Sequence, residues 1–184
     1  MKFLKLFIII VSIIVLILIL FYVYENNSVK QGIFSLNYRI KKEIFKDDSE
    51  RDFHGSGFSI IVDSVSDQDI NYFTNAPKDF YKYYPKKSFH SEEFKVHTWE
   101  KTPIDPKDTS AINFALILSK NDSDSYVFKN RNIVLKYLGI IKSKLKESDN
   151  LYCYTFRNHP NKLYGVDFYL IDLKGHLIYS VNKQ

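Results

Sequence analysis

The stretches LYCYTFR (151–157), YGVDFYLIDL (164–173) and LIYSVN (177–182) decide the fold class. Each is dense in β-branched and aromatic residues and each is bounded by turn-forming ones, the pattern of short strands. Asp172-Leu173-Lys174-Gly175-His176, between the last two, predicts a tight hairpin with Gly175 at the position of positive φ. Consecutive strands joined this closely pair antiparallel, so the chain ends in a three-stranded meander.

Upstream of the meander the period changes from two to that of a helix. From Tyr126 to Lys146, Ile133, Val134, Tyr137, Leu138, Ile140, Ile141 and Leu145 fall within an arc of about 160° at 100° per residue. Lys129, Arg131, Lys136, Lys142 and Lys146 take the opposite side, although Gly139 weakens the helix and Lys144 intrudes on the apolar arc. Ala111 to Leu118 is almost wholly apolar and predicts a buried helix, with a central strand as the alternative; Asp105-Pro106-Lys107-Asp108 supplies its cap and first turn. Phe94–Lys101 alternates with period two and predicts a strand, as does Phe58–Val65. Ser66 and the acids after it cap a short helix through Phe73, and Pro77 opens a helical turn from Lys78 to Tyr84 that Pro85 stops. Helices among early strands followed by a meander give an α+β domain over residues 53–184, with a mixed or antiparallel sheet. Residues 25–52 read as a connector: Ile33, Phe34, Leu36, Ile40, Ile44 and Phe45 recur at helical spacing, and Lys46 to Asp52 follows as a charged spacer with solvated carboxylates.

Residues 1–24 read as a transmembrane anchor. Lys2 and Lys5 precede an apolar run from Leu6 to Val23 that only Ser12 and Tyr22 interrupt. As a helix it would reach about 27 Å, close to the roughly 30 Å of a bilayer's hydrocarbon. Its insertion is worth about 5–10 kcal/mol, with no internal charge to oppose it. A cleaved leader is disfavoured, because Phe21, Tyr22 and Tyr24 stand where a signal peptidase needs small residues. The amino-terminal lysines favour that end in the cytoplasm, which places residues 25–184 outside it and makes the chain a single-pass protein of a bacterial inner membrane.

The chemistry-bearing patterns are sparse. Cys153 is the sole cysteine, which excludes an intramolecular disulfide framework and a CxxC motif, and its place in a strand predicts a buried, inert thiol. None of His54, His90, His97, His159 and His176 sits in HExxH, HxxxH or HxH, so no metal and no cofactor is expected. Asp122-Ser123-Asp124 lacks the glycine and terminal Glu of a calcium loop. No Walker loop, GxGxxG or serine elbow occurs. A net charge of +5, carried by 22 Lys against 4 Arg in a composition skewed to A/T-rich codons, gives no reason to expect nucleic acid. No catalytic residue is assigned.

The segments GFSI (57–60), NAPKDFYKYYP (75–85), WEKTPI (99–104) and VDFYLID (166–172) together resemble small bacterial envelope proteins, some of which look like immunity proteins for secreted toxins. The likeness covers about residues 55–184 and carries no catalytic motif. It implies a non-enzymatic, membrane-anchored domain that binds a protein partner, a toxin or an envelope protein. The competing readings are a membrane-tethered hydrolase with His97 or His54 as base, and a structural subunit of an envelope complex. The expected partner-facing residues are Tyr72, Tyr81 and Lys82. They lie in a run of aromatics and lysines where helical spacing turns Phe80, Tyr83 and Tyr84 inward and leaves Tyr72 and Tyr81 outside.

Overall fold

The computed structural model describes residues 10–23, 40–49, 57–75, 94–118, 126–159 and 162–184. Helix α1 spans 10–23. Strands β1 (Ile40–Asp48) and β2 (Phe58–Val65) follow, then α2 (Asp67–Thr74) and β3 (Phe94–Lys101). A 3-10 turn, Pro106–Asp108, leads into α3 (Thr109–Leu116). The chain closes with α4 (Arg131–Lys144), β4 (Leu151–His159), β5 (Lys162–Asp172) and β6 (Leu177–Lys183). The six strands form one sheet in the order β1-β2-β6-β5-β4-β3, and every neighbouring pair is antiparallel. The fold is α+β, and the predicted meander β4-β5-β6 lies at its centre.

Strand alternation gives the sheet two apolar faces. On one, Phe58, Ile60 and Val62 of β2, Tyr152 and Tyr154 of β4, Val166, Phe168 and Leu170 of β5, and Tyr179 and Val181 of β6 pack under α3 and α4. Those helices contribute Ile112, Ala115 and Leu116, and Val134, Leu138 and Ile141. On the other face Val65, Leu151, Cys153, Tyr169, Ile171 and Ile178 pack with Trp99 and with Ile70 and Phe73 of α2. Helix α2 starts where its sequence predicts, with the Ser66 hydroxyl accepting the Asp69 backbone N–H at 3.1 Å.

Four expectations need correction. The amphipathic connector helix is, over its described part, strand β1, so the sheet takes its first strand from the segment read as a connector. The register shifts between Glu43 and Phe45, and such a bulge carries a side chain across the strand. Phe45 lies opposite Val62 on the helix-covered face and stacks on Tyr137 at 5.0 Å.

Asp47 is buried rather than solvated. Its carboxylate accepts the N–H groups of Asn130 at 2.7 Å and Lys129 at 3.4 Å, two free donors at the approach to α4. That contact also bears on the third correction: α4 begins at Arg131, not Tyr126. Tyr126 and Phe128 instead lie against Phe58, and the Tyr126 hydroxyl donates to the Gln184 carbonyl at 3.1 Å.

Finally, the positive φ of the last hairpin falls on His176, at 54°, not on Gly175. Gly175 is needed for room: its N–H donates to Asp172 Oδ1 at 3.0 Å, and a Cβ there would stand 2.9 Å from the Asp172 carboxyl carbon.

Among the described residues no helix is long and apolar enough to cross a membrane. Helix α1 covers residues 10–23 of the apolar run, and residues 6–9 and 24 lie outside the described ones. So does the expected helical turn from Lys78 to Tyr84.

Candidate functional site

Among the described residues, a cluster of titratable side chains sits where edge strand β3 meets the turn before α3. His97 pairs across the ladder with Tyr154, and Glu100 with Tyr152. In a regular strand, residues three apart point to opposite faces. A register shift between His97 and Glu100 cancels that difference and brings both side chains to the helix-covered face. Trp99, between them in sequence, points into the opposite core.

The loop after β3 brings in the third member. Thr102 and Asn150 hold it to the start of β4: the Thr102 N–H donates to the Asn150 carbonyl at 2.9 Å, and the Asn150 N–H donates to Thr102 Oγ1 at 3.1 Å. The Asn150 side-chain amide donates to the Lys144 carbonyl at 2.9 Å, so the same residue closes the end of α4. Beyond this clamp Asp105 caps the 3-10 turn by accepting the Lys107 N–H at 2.9 Å. The turn delivers Asp108 under the sheet.

Asp108 is buried, and its carboxylate accepts two phenolic protons, from Tyr152 at 2.7 Å and from Tyr154 at 2.8 Å. Tyr152 also lies 3.2 Å from Glu100 Oε2 and accepts the Asp105 N–H at 3.3 Å. The His97 ring is stacked on Tyr154, 4.7 Å between centroids and 4° from parallel, and lies 5.9 Å from Tyr152. His97 Nδ1 is 3.0 Å from the Thr98 carbonyl, a group that can only accept, so this nitrogen carries the hydrogen. The other ring nitrogen, Nε2, is left facing Asp108 Oδ2 at 3.3 Å and Glu100 Oε1 at 3.5 Å. Lys107 Nζ completes the rim, 3.0 Å from Asp105 and 3.7 Å from Glu100. Side-chain exposure rises from 3% at Asp108 through 16% at His97 to 37% at Glu100, so the group opens to solvent on the Glu100 side.

Burial, and then donation to Asp108, pushes both tyrosine hydroxyls well above the usual phenol range. They are fixed as neutral donors. Asp105 is held below the ordinary carboxylate value by its bonds to Lys107, and Lys107 is raised by the same partner. The arrangement presents one imidazole nitrogen and two carboxylate oxygens to a common point. Among the described residues these three are the one group of histidine, cysteine and acidic side chains close enough to share a metal ion, with ligand atoms all within 4.8 Å of one another.

Of the residues singled out from sequence, His97 belongs to this group, and the expected partner-facing residues are not brought together here. Tyr72 is exposed on α2, edge-on to Phe73 at 5.8 Å. Tyr81, Lys82, His54, His90 and Asp122-Ser123-Asp124 lie outside the described residues. His176 pairs at the surface with Asp67, 2.9 Å away. Cys153 is buried on the opposite face, where desolvation drives its thiol well up, so it cannot serve as a nucleophile beside His97. Glu100 and Asp108 were missed because one looks like an ordinary exposed strand residue and the other like part of a helix start. Comparison of the chain with protein-family models, with curated proteins and with solved structures finds no match.

Proposed function

We propose that this chain is a single-pass membrane protein that holds its α+β domain outside the cytoplasm, where the domain binds a protein partner without catalysing a reaction. The observation that carries the anchor is α1: its residues, Ile10 to Val23, are apolar save Ser12 and Tyr22, and all of them are exposed. An apolar helix bare on every side is costly in water and stable in lipid. The sequence extends the same uncharged run back to Leu6, with Lys2 and Lys5 before it as the cytoplasmic flank. The anchor would then run from residue 6 to 24, held at its outer end by Tyr22 and Tyr24.

Binding rather than catalysis is supported by the character of the domain. The thiol is buried on the wrong face, and His97 turns Nε2 toward two carboxylates rather than toward solvent. The partner of the most concrete version is a toxin delivered by a neighbouring cell, for which the domain is the immunity factor, and Tyr72, Tyr81 and Lys82 would contribute to the bound surface. Alkaline carbonate extraction of cells expressing the full chain should leave it in the membrane pellet with its apolar run intact by mass. A soluble protein whose amino terminus lies near residue 28 overturns the anchor. Deletion of the gene should sensitise cells to a toxin encoded beside it, and unchanged resistance removes the immunity version.

A further inference from the structure

His97, Glu100 and Asp108 carry an inference that does not depend on the tether. We propose that His97 Nε2, Glu100 Oε1 and Asp108 Oδ2 form a binding site for one divalent transition-metal ion of the zinc class.

One imidazole nitrogen and two carboxylate oxygens converge here, all within 4.8 Å of one another. With Nδ1 hydrogen-bonded to the Thr98 carbonyl, the ring turns Nε2 toward two carboxylate oxygens, at 3.3 and 3.5 Å. Such an arrangement is repulsive unless a proton or a cation occupies the centre. The two spacings from Nε2 fit a cation, and the third, between the carboxylate oxygens, is within 4.8 Å. Donors on a tetrahedral zinc ion, at metal–ligand distances of about 2.0–2.1 Å, are about 3.3–3.4 Å apart.

The surrounding groups are those that hold ligands in place. A backbone carbonyl fixes the histidine tautomer, the Tyr154 hydroxyl holds Asp108 Oδ1, and the Tyr152 hydroxyl donates to Oδ2, the oxygen that also faces the histidine. The two carboxylates balance a divalent charge. The half-exposed Glu100 leaves a route in, and a fourth position for water. One nitrogen with two oxygens suits zinc, cobalt or manganese, whereas magnesium and calcium demand more oxygens. Lys107, mostly exposed and 3.7 Å from Glu100, is the charge an incoming ion would displace from that carboxylate.

The test uses the full chain, purified in mild detergent without a histidine tag and stripped with chelator. Equilibrium dialysis against zinc should return one equivalent bound, and magnesium at the same concentration should return none. Cobalt should give the intense visible absorption of a four-coordinate ion. Glu100→Gln, a change at a half-exposed position, should weaken zinc binding at least tenfold, and Tyr154→Phe, which frees Asp108 from one of its orienting bonds, should also weaken it about tenfold. His97→Asn should abolish the cobalt spectrum. Buried Trp99 reports by its fluorescence whether each variant is folded, and where His97→Asn is not, Glu100→Gln decides. No uptake by the folded chain, or uptake that Glu100→Gln leaves unchanged, overturns the site.

Discussion

Replacing Asp108 by alanine tests the construction of the site without any ligand. The buried carboxylate accepts the hydroxyl protons of Tyr152 and Tyr154, at 2.7 and 2.8 Å. A buried hydroxyl that loses its acceptor costs about 1–3 kcal/mol. Tyr152 has a second carboxylate within reach, Glu100 at 3.2 Å, so its share falls at the low end. Removing one of two neighbouring negative charges offsets part of the loss. The expected destabilisation by Asp108→Ala is therefore about 2–4 kcal/mol. Asp108→Asn keeps the shape and one acceptor but turns an amide donor toward the other hydroxyl, and should cost about 1–2 kcal/mol. In a double-mutant cycle with Tyr154→Phe, the coupling should be about 1–2 kcal/mol. Urea unfolding followed by the fluorescence of Trp99, the chain's one tryptophan and fully buried, reads all of these. A loss below about 0.5 kcal/mol for the alanine variant, or strict additivity in the cycle, would refute the reasoning.

Three further outcomes follow from the packing and the charges. On α4, Leu138→Ala should cost about 2–5 kcal/mol because the side chain is buried against the sheet, whereas Leu135→Ala, exposed on the same helix, should stay within about 0.5 kcal/mol; equal losses in urea would mean the helix is rotated. Gly175→Ala forces a Cβ against the Asp172 carboxylate, which also lies 3.3 Å from Lys144 Nζ, and should cost about 1–3 kcal/mol by calorimetry; an unchanged melting temperature would contradict the crowding. Burial, with the Asp172 charge second, pushes Tyr179 up to about 12, above its ordinary 10. The unfolded chain releases that proton at lower pH, so the stability is whole below pH 10 and about 3 kcal/mol of it is lost as pH rises through 12. Tyr152 and Tyr154 shift in the same direction, and a urea midpoint that does not fall between pH 9 and 11 would contradict this.

Local signals were legible where a short stretch sets its own structure. Strand Phe58–Val65, the Ser66 cap, the strand Phe94–Lys101 and the closing meander all depend on alternation or on a neighbour three residues away, and each is found where it was read. The β1 segment misled because Ile44 and Phe45, adjacent and both apolar, look like one helical stripe, whereas Ile44 is exposed and Phe45 packs against the core. Asp47 misled for a different reason: its partners, Lys129 and Asn130, are more than eighty residues away in the chain. The His97 group combines both difficulties. A bulge in β3 aligns His97 with Glu100, and the two tyrosines and Asp108 meet them only through the pairing of β3 with β4 and the turn before α3. Each of those residues has an ordinary local explanation, so no motif search could have joined them.

The side of the membrane on which the domain stands is the account's central functional claim, and one labelling measurement tests it most directly. Cys153 is fully buried, so a cysteine introduced at exposed Lys174 in the β5–β6 hairpin (Lys174→Cys) is the accessible reporter, with the unsubstituted chain as its control. In spheroplasts with an intact inner membrane, a membrane-impermeant maleimide should label the variant fully, and lysis should add nothing. Labelling that appears only after lysis would place the domain in the cytoplasm and contradict the account.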